Sequence, residues 1–245
     1  MKLTIQAACV NNATLTVAGN VITNGSKDFV FDFEKGEHFY FAVGNGDGVF
    51  KGQTTTEAAL EHLRDSFTFG DITAEAEGMY QQLNYLHKEF NGIYPHLKAD
   101  EHCGTSVCGA YGTDDSLLSF NAGSGAVFLF RDFTLMPISD PTYPLGYNEA
   151  EPGMDVWTVE DKLKDGDVIL ICSEGVMDIL DEETIEGVMS YSKYPAAHLL
   201  DEATADGAEL PLAVVAVLVG TGDFIPEMID EEDLPDDNGA YDAWS

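Results

Sequence analysis

Basic residues are scarce in this sequence. Its 245 residues include 11 Lys and Arg against 44 Asp and Glu, which gives a formal net charge of -33. This composition argues against a nucleic acid as a partner, because binding to phosphates needs clustered positive charge. Such a surface instead attracts cations and basic protein segments, and it repels phosphorylated molecules unless metal ions intervene. Adaptation to high salt is an alternative explanation of the same acidic excess.

Long apolar runs are also missing. The chain opens with Met1-Lys2-Leu3, directly followed by a strand-like alternation, and no later stretch has the length and hydrophobicity of a membrane span. We therefore expect neither a signal peptide nor a membrane-spanning segment, and we predict a cytoplasmic protein.

Cysteine is used sparingly. The four cysteines lie among apolar neighbours, which is more typical of reduced, buried thiols than of a disulfide framework: Cys9, Cys103, Cys108 and Cys172. His102, Cys103 and Cys108 are conceivable zinc ligands. Their spacing matches no zinc template, however, and a five-residue offset along a strand places Cys103 and Cys108 on opposite faces.

The stretch from Phe39 to Gly48 runs from an apolar strand into a turn where glycines alternate with Asn45 and Asp47. Glycine allows the backbone to take positive φ and to approach a ligand closely, and side-chain oxygens suit a hard cation. A polar turn that only caps a strand is the alternative interpretation.

Hydrophobic periodicity predicts the elements of the first half. Residues 1–18 indicate two strands separated by a turn at Asn11-Asn12, and residues 28–33 and 39–43 indicate a β-hairpin. From Thr55 onwards the apolar residues recur at helical spacing, which predicts two successive amphipathic helices that end near Phe67 and Phe90.

The second half begins with three short apolar runs, which predict a meander of antiparallel hairpins over residues 105–130. A long loop rich in Pro, Gly and Tyr follows at 139–153. The continuous apolar run at 167–173 predicts a strand that is buried on both faces. Helical patterns then lead to a last strand at 212–219. With no repeat or linker, we predict one domain over residues 1–222 and a mobile acidic tail over 223–245.

This order of elements resembles the metal-dependent protein phosphatases of the type 2C class, the PPM family, up to about Gly220. Three segments carry the resemblance: Gly104-Thr105-Ser106, Asn121-Ala122-Gly123 with the strand that follows, and Gly166 to Leu180. The third is close to the family's Gly-Asp, apolar strand and Ser-Asp-Gly. The resemblance implies an α+β fold, a four-layer α-β-β-α sandwich in which two antiparallel sheets are flanked by helices.

In that family two Mg²⁺ or Mn²⁺ ions activate a water molecule that attacks phosphorus, so no residue is needed as a covalent nucleophile. No residue of this chain is therefore assigned a certain catalytic role. The resemblance places the metal-binding positions at Asp28, Asn45, Gly46, Glu174 and Glu209. Asp47 falls on the family's histidine and is a further candidate ligand, which substitutes for a carboxylate at position 45 if the turn shifts by two residues.

Several of these positions depart from the family's pattern. Asn45 stands where the family has its bridging aspartate, and an amide has one coordinating oxygen and no charge. Glu174 and Glu209 each replace an aspartate by a longer side chain, and Asp206 is the nearest alternative to Glu209. The family's phosphate-binding arginine has no counterpart, and Lys27 is the nearest base, without the two-pronged fork that recognises phosphate.

Two hypotheses follow from these departures. One is a divergent phosphatase with a degraded two-metal site and reduced metal binding, which hydrolyses phosphoserine or phosphothreonine proteins, or small phosphoesters, weakly or not at all. The other is a catalytically inactive pseudophosphatase that acts as a regulatory or protein-binding module and presents its acidic surface to a basic protein segment. The sequence leaves open whether the protein is an active enzyme.

Overall fold

The computed structural model describes residues 1–17, 20–32, 37–46, 49–50, 53–68, 76–92, 104–113, 116–146, 153–159, 162–208 and 210–224. Within these ranges only the backbone is described for residues 11–12, 20–24, 26–32, 49–50, 53 and 68.

The elements follow one another along the chain as β1 Lys2–Val17, β2 Asn20–Asp32, β3 Phe39–Asn45, β4 Val49–Phe50, β5 Gln53–Thr54, α1 Thr55–Thr68, α2 Ala76–Asn91, β6 Ser106–Gly112, β7 Leu117–Ala122, β8 Ala126–Arg131, β9 Thr134–Pro137, β10 Asp155–Val159, β11 Val168–Cys172, α3 Glu174–Met177, α4 Glu182–Tyr191, α5 Pro195–Ala205 and β12 Leu212–Val219.

The long first strand joins two antiparallel sheets. One sheet runs in the order β10-β7-β6-β3 and the other in the order β12-β11-β8-β9. β1 pairs with β12 through Leu3–Val10 and with β3 through Thr14–Val17, and β2 lies along its other edge. The two sheets therefore share the β1–β2 ribbon, while β4 and β5 form a separate small pair.

The two sheets pack face to face. Alternate residues of β1 point into the core between them, where Leu3, Ile5 and Leu15 meet residues of both sheets such as Phe41 and Ile169. Each such side chain contributes about 1.5–3 kcal/mol by leaving water. Helices cover the two outer faces, α1 and α2 on one and α3 to α5 on the other. The predicted four-layer α-β-β-α sandwich is confirmed.

The prediction for the first strands is wrong in two respects. β1 is continuous through Asn11-Asn12, and an irregularity in register between Cys9 and Thr14 accompanies its change of partner. An irregularity of this kind bends a strand, which allows β1 to pass from one sheet to the other. The predicted hairpin of residues 28–33 and 39–43 is also wrong, because β2 pairs with β1 while β3 pairs with β1 and β6.

The predicted meander is broken at its centre. β6 pairs with β7, and β8 pairs with β9 through a tight turn in which Asp132 and Phe133 have positive φ of 52° and 61°. Between these hairpins, residues 122–126 carry the chain from one sheet to the other. The Asn121 amide stabilises this crossing by donating to the carbonyls of Gly125 and Asp140. β7 and β8 therefore lie in different sheets.

The helices and the buried strand agree with prediction. Leu60 and Leu63 of α1 and Met79 of α2 are buried against β3, β6 and β7. All five residues of β11 are buried, as its continuous apolar run predicted. No helix in the part of the chain that the structure describes is long and apolar enough to cross a membrane.

The thiols and the acidic tail are described in part. Cys9, Cys108 and Cys172 are buried, as predicted. His102 and Cys103 lie outside the described residues, and so does the predicted tail beyond Phe224. The side chain of Phe224 is buried in the layer formed by α3 to α5.

A buried ion pair connects β8 with the residue that precedes β11. Arg131 donates through Nε and Nη2 to the two carboxylate oxygens of Asp167, at 2.7 Å each. The Lys164 backbone N–H also donates to Asp167, and Arg131 reaches the Lys162 carbonyl. The side chains of Arg131 and Asp167 are 10% and 3% exposed. This pair lies at the start of β11, at the opposite end of that strand from Glu174.

Candidate functional site

Strand ends from both sheets meet at one end of the sandwich. Asn45 ends β3 and pairs with Ser106 at the start of β6. β11 ends at Cys172, and Ser173 then leads into α3, whose first residue is Glu174. Asn45, Ser106 and Glu174 consequently line one small hollow that has no room for a water molecule.

Glu174 makes a short hydrogen bond across the two sheets. The Ser106 hydroxyl donates to Glu174 Oε2 at 2.6 Å. This is the length expected when a hydroxyl donates to an ionised carboxylate. Ser106 belongs to β6 in one sheet and Glu174 follows β11 of the other, so the bond joins the sheets at their ends.

The carbonyl of Gly46 also accepts a hydrogen bond. Thr56, in the first turn of α1, donates its hydroxyl to this carbonyl at 2.9 Å. The Thr105 hydroxyl lies 3.0 Å from those of both Thr55 and Thr56. The start of α1 thereby connects to the turn after β3 and to the residue before β6.

The N-terminus of α1 is capped by the side chains of Thr54 and Glu57. The backbone N–H of Glu57 donates to the Thr54 hydroxyl at 3.1 Å, and the backbone N–H of Thr54 donates to the Glu57 carboxylate at 3.3 Å. This reciprocal pair is a capping box, which sets the helix start and hence the position of Thr55 and Thr56.

Glycines make room for these hydroxyl-bearing side chains. A Cβ on Gly44 would lie 2.6 Å from Thr56 Cγ2, one on Gly46 would overlap Thr105 Oγ1, and one on Gly123 would overlap the Ser106 side chain. The sequence pattern indicates that the backbone around Gly46 could approach a ligand. Among the described residues, the glycines of this turn instead face threonine side chains of the same chain.

The remaining predicted site residues are described in part or not at all. Asp28 and Lys27 lie in β2, opposite Gln6 and Ala7 of β1, and only their backbones are described. Asp47 and Glu209 lie outside the described residues. The assignment of metal ligands to Asp28, Asp47 and Glu209, and of phosphate binding to Lys27, stays a prediction. Asn45, Gly46 and Glu174 are brought to one end of the sandwich.

The described residues supply only part of the predicted set of metal ligands. They supply one carboxylate, Glu174, whose Oε2 accepts from Ser106, the neutral amide of Asn45, and the Gly46 carbonyl, which accepts from Thr56. A pair of bridged divalent cations needs several negatively charged oxygen ligands. No group of three or more His, Cys, Asp or Glu that could hold a metal ion occurs among the residues whose positions are described.

The thiol that lines the hollow is buried and hydrogen-bonded. Cys108 donates to the Cys172 carbonyl at 3.3 Å. Burial raises the pKa of the Cys172 thiol to about 12, and burial also raises the pKa of Cys108, with the nearby Cys172 as a second cause. Because the thiolate is the reactive and metal-binding form, we expect neither cysteine to act as a nucleophile or ligand at neutral pH.

Hydroxyl groups are the main feature of the site that sequence reasoning misses. In the sequence, Thr105 and Ser106 stand out only as part of a motif, and Thr56 only as part of a helix. The one sequence signal is the concentration of hydroxyls, with Thr54-Thr55-Thr56 at a helix start and Thr105-Ser106 at a strand start.

Solved serine/threonine phosphatases have the same arrangement of layers. The enzyme from S. agalactiae superposes with a TM-score of 0.64 at 14% identity, over 88% of this chain and 99% of that chain. Stp1 from Staphylococcus aureus superposes with a TM-score of 0.64 at 11% identity, over 89% and 95% of the two chains. The protein has the type 2C phosphatase fold.

The type 2C fold is the one that the sequence resemblance predicts, and this prediction is confirmed. No family profile and no curated protein matches the sequence, so the structural likeness carries the assignment. The catalytic domain of the phosphatase PstP, solved in complex with two manganese ions, superposes with a TM-score of 0.59 at 18% identity. It is covered completely, and 89% of this chain is matched.

Proposed function

We propose that this protein is a divergent type 2C-like serine/threonine phosphatase with a degraded two-metal site and weak or absent phosphoester hydrolysis. The observation that carries the proposal is the hydrogen bond of 2.6 Å from Ser106 to Glu174, beside the amide of Asn45. The one described carboxylate at the strand ends already has a donor from the protein itself.

The cost to catalysis follows from the chemistry of the reaction. Phosphoryl transfer by two metals depends on positioning and on stabilising negative charge, so each lost charge-stabilising group lowers the rate by roughly 10²–10³. Asn45 replaces a bridging carboxylate, and no arginine takes the place of the family's phosphate-binding one. Mg²⁺ or Mn²⁺ remains the expected cofactor of any residual turnover, with binding weaker than in an intact site.

The electrostatics of substrate binding also predict weak activity. A phosphorylated protein or small phosphoester approaches a molecule whose formal net charge is -33, so long-range repulsion opposes binding. In an intact two-metal site the cations would offset this repulsion locally. With fewer ligands for cations, we expect the affinity for phosphorylated substrates to be low as well.

Calorimetric titration with Mn²⁺ and turnover of p-nitrophenyl phosphate test the proposal. We expect the unaltered protein to show little heat of Mn²⁺ binding and turnover close to the uncatalysed rate. Asn45→Asp combined with Glu174→Asp should strengthen Mn²⁺ binding. Asn84→Asp on α2 is the control, because it adds the same charge away from the site. Strong Mn²⁺ binding together with fast Mn²⁺-dependent turnover in the unaltered protein, both abolished by Glu174→Ala, would overturn the proposal.

The second candidate function is that of a pseudophosphatase that binds proteins. The charge distribution favours it, since residues 174–206 of the α3 to α5 layer contain nine acidic residues and one lysine. By contrast, residues 55–91, which span α1 and α2, contain seven acidic and two basic residues. The α3 to α5 layer is therefore the more negative of the two outer faces, and a basic protein segment is the partner that fits it.

Fluorescence anisotropy with a labelled Lys- and Arg-rich peptide tests this second function. Reversing two charges on α5, by Asp201→Lys with Glu202→Lys, should weaken binding several-fold. The same reversal on α2, by Glu77→Lys with Glu89→Lys, is the matched control and should change binding less. Equal effects of both variants would show only non-specific attraction to an acidic protein and would reject the α5 face.

A further inference from the structure

Four residues with buried hydroxyl groups lie next to one another at the strand ends, and we call them the hydroxyl clamp: Thr55, Thr56, Thr105 and Ser106. Each side chain is at most 5% exposed. Thr105 lies at hydrogen-bond distance from Thr55 and Thr56, Thr56 donates to the Gly46 carbonyl, and Ser106 donates to Glu174.

The clamp connects elements that are far apart in sequence. Thr55 and Thr56 open α1, Thr105 and Ser106 lead into β6, and Glu174 opens α3 after β11 of the other sheet. Thr105 is held further by two backbone hydrogen bonds with Leu145, at 3.0 and 2.9 Å. The clamp therefore joins both sheets and α1 at the same end of the sandwich.

Steric complementarity accompanies these hydrogen bonds. Gly44 leaves space for the methyl group of Thr56, and Gly46 leaves space for Thr105. Gly123 has a φ of 132° and leaves space for Ser106. Three positions without a side chain thus lie directly against three of the four hydroxyl-bearing residues, so the clamp is part of the packing and not an incidental surface contact.

We propose that the hydroxyl clamp holds this end of the sandwich together without divalent cations. Ser106 presents the positive end of its O–H dipole to the Glu174 carboxylate, and the threonines fix the turn that carries Asn45 and Gly46. Buried polar groups are costly unless paired, and the clamp pairs them within the protein. The inference rests on the proposed function in that it takes strong cation binding to be absent.

Thermal unfolding in EDTA and in millimolar Mn²⁺ gives the first measurement. A ligand that binds only the folded state raises the melting temperature, Tm, to an extent that grows with its concentration relative to Kd. We expect the Tm of the unaltered protein to be the same in both conditions. Ser106→Ala should lower the Tm in EDTA by several degrees, and Mn²⁺ should not restore it.

A double-mutant cycle in EDTA gives the second measurement. Gly44→Ala should lower the Tm, because the new methyl group meets Thr56 Cγ2. Thr56→Ser removes that methyl group and keeps the hydroxyl, so Gly44→Ala should lower the Tm by less than half as much in the Thr56→Ser background. Gly187→Ala is the control, since open space surrounds Gly187 in α4, and it should not lower the Tm.

Three results would overturn the inference: a Tm raised by Mn²⁺, an unchanged Tm in Ser106→Ala, or equal losses for Gly44→Ala in both backgrounds. If Gly44→Ala does not fold, the Tm of Ser106→Ala in EDTA and in Mn²⁺ tests the inference by itself. Failure of the proposed function is recognised separately, because Mn²⁺-dependent turnover is measured on the unaltered protein, whereas the cycle is measured in EDTA.

Discussion

Replacing Asp167 by asparagine removes the charge that Arg131 faces. Both partners are almost fully buried, and two hydrogen bonds of 2.7 Å connect them. In Asp167→Asn one of the two acceptor oxygens becomes an NH₂ group, so the guanidinium loses the negative charge of Asp167. Breaking one side of a buried ion pair costs about 3–5 kcal/mol. For a protein of this size each 1 kcal/mol corresponds to about 2–4 °C, so we expect the Tm to fall by roughly 6–20 °C.

Chemical and thermal unfolding of two further variants make this prediction specific. Asp65→Asn removes the partner of Arg64 in an ion pair whose side chains are 29% and 54% exposed, and such pairs contribute less than about 1 kcal/mol. Replacing both buried partners, by Arg131→Met with Asp167→Leu, should cost less than Asp167→Asn alone, because no charge is left buried. If Asp167→Asn loses no more stability than Asp65→Asn, the reasoning from burial is refuted.

Three further predictions concern individual side chains. A thiol-specific reagent at mildly alkaline pH should leave Cys108 and Cys172 unmodified until denaturant is added, as mass spectrometry would show, because burial raises the pKa of both thiols. Hydrogen bonds from Thr184 lower the pKa of Asp181. The stability that Asp181 contributes is therefore present at neutral pH and is lost as the pH falls through its folded-state pKa. The difference in Tm between the unaltered protein and Asp181→Ala should accordingly narrow on acidification. Phe133→Gly should raise the Tm by a few degrees, since positive φ costs an exposed L-residue about 1–2 kcal/mol, and an unchanged or lower Tm would contradict this.

Element types are predictable here because burial imposes a period on the sequence. The continuous apolar run at Val168–Cys172 fits a strand buried on both faces, and the stripe ending at Phe90 fits a helix packed on a sheet. The pairing partners of a strand are harder to predict from the sequence. Alternation in residues 28–33 identifies two faces of a strand, but it carries no information on whether β1 or β3 lies alongside.

The candidate site is predictable only where a residue type is unusual for its position. Asn45 and Glu174 stand out against the family's aspartates, so the sequence alone identifies their places. The bond from Ser106 to Glu174 joins residues 68 positions apart. Such a contact leaves no periodic or local pattern in the sequence, since either residue alone is compatible with an ordinary strand end or helix start. The role of Thr56 is hidden for the same reason.

The pairing of β1 with β12 also bears on how the chain folds during synthesis. Leu3 lies opposite Val219, so β1 pairs with a strand that leaves the ribosome much later. Until residues 212–219 emerge, Lys2–Val10 lacks a partner along one edge, and an unpaired edge is a template for aggregation. A topology dominated by such distant pairings also folds slowly. Completion of the sandwich therefore waits until Leu212–Val219 has emerged, and nascent chains that end before Leu212 should depend on chaperones to stay soluble.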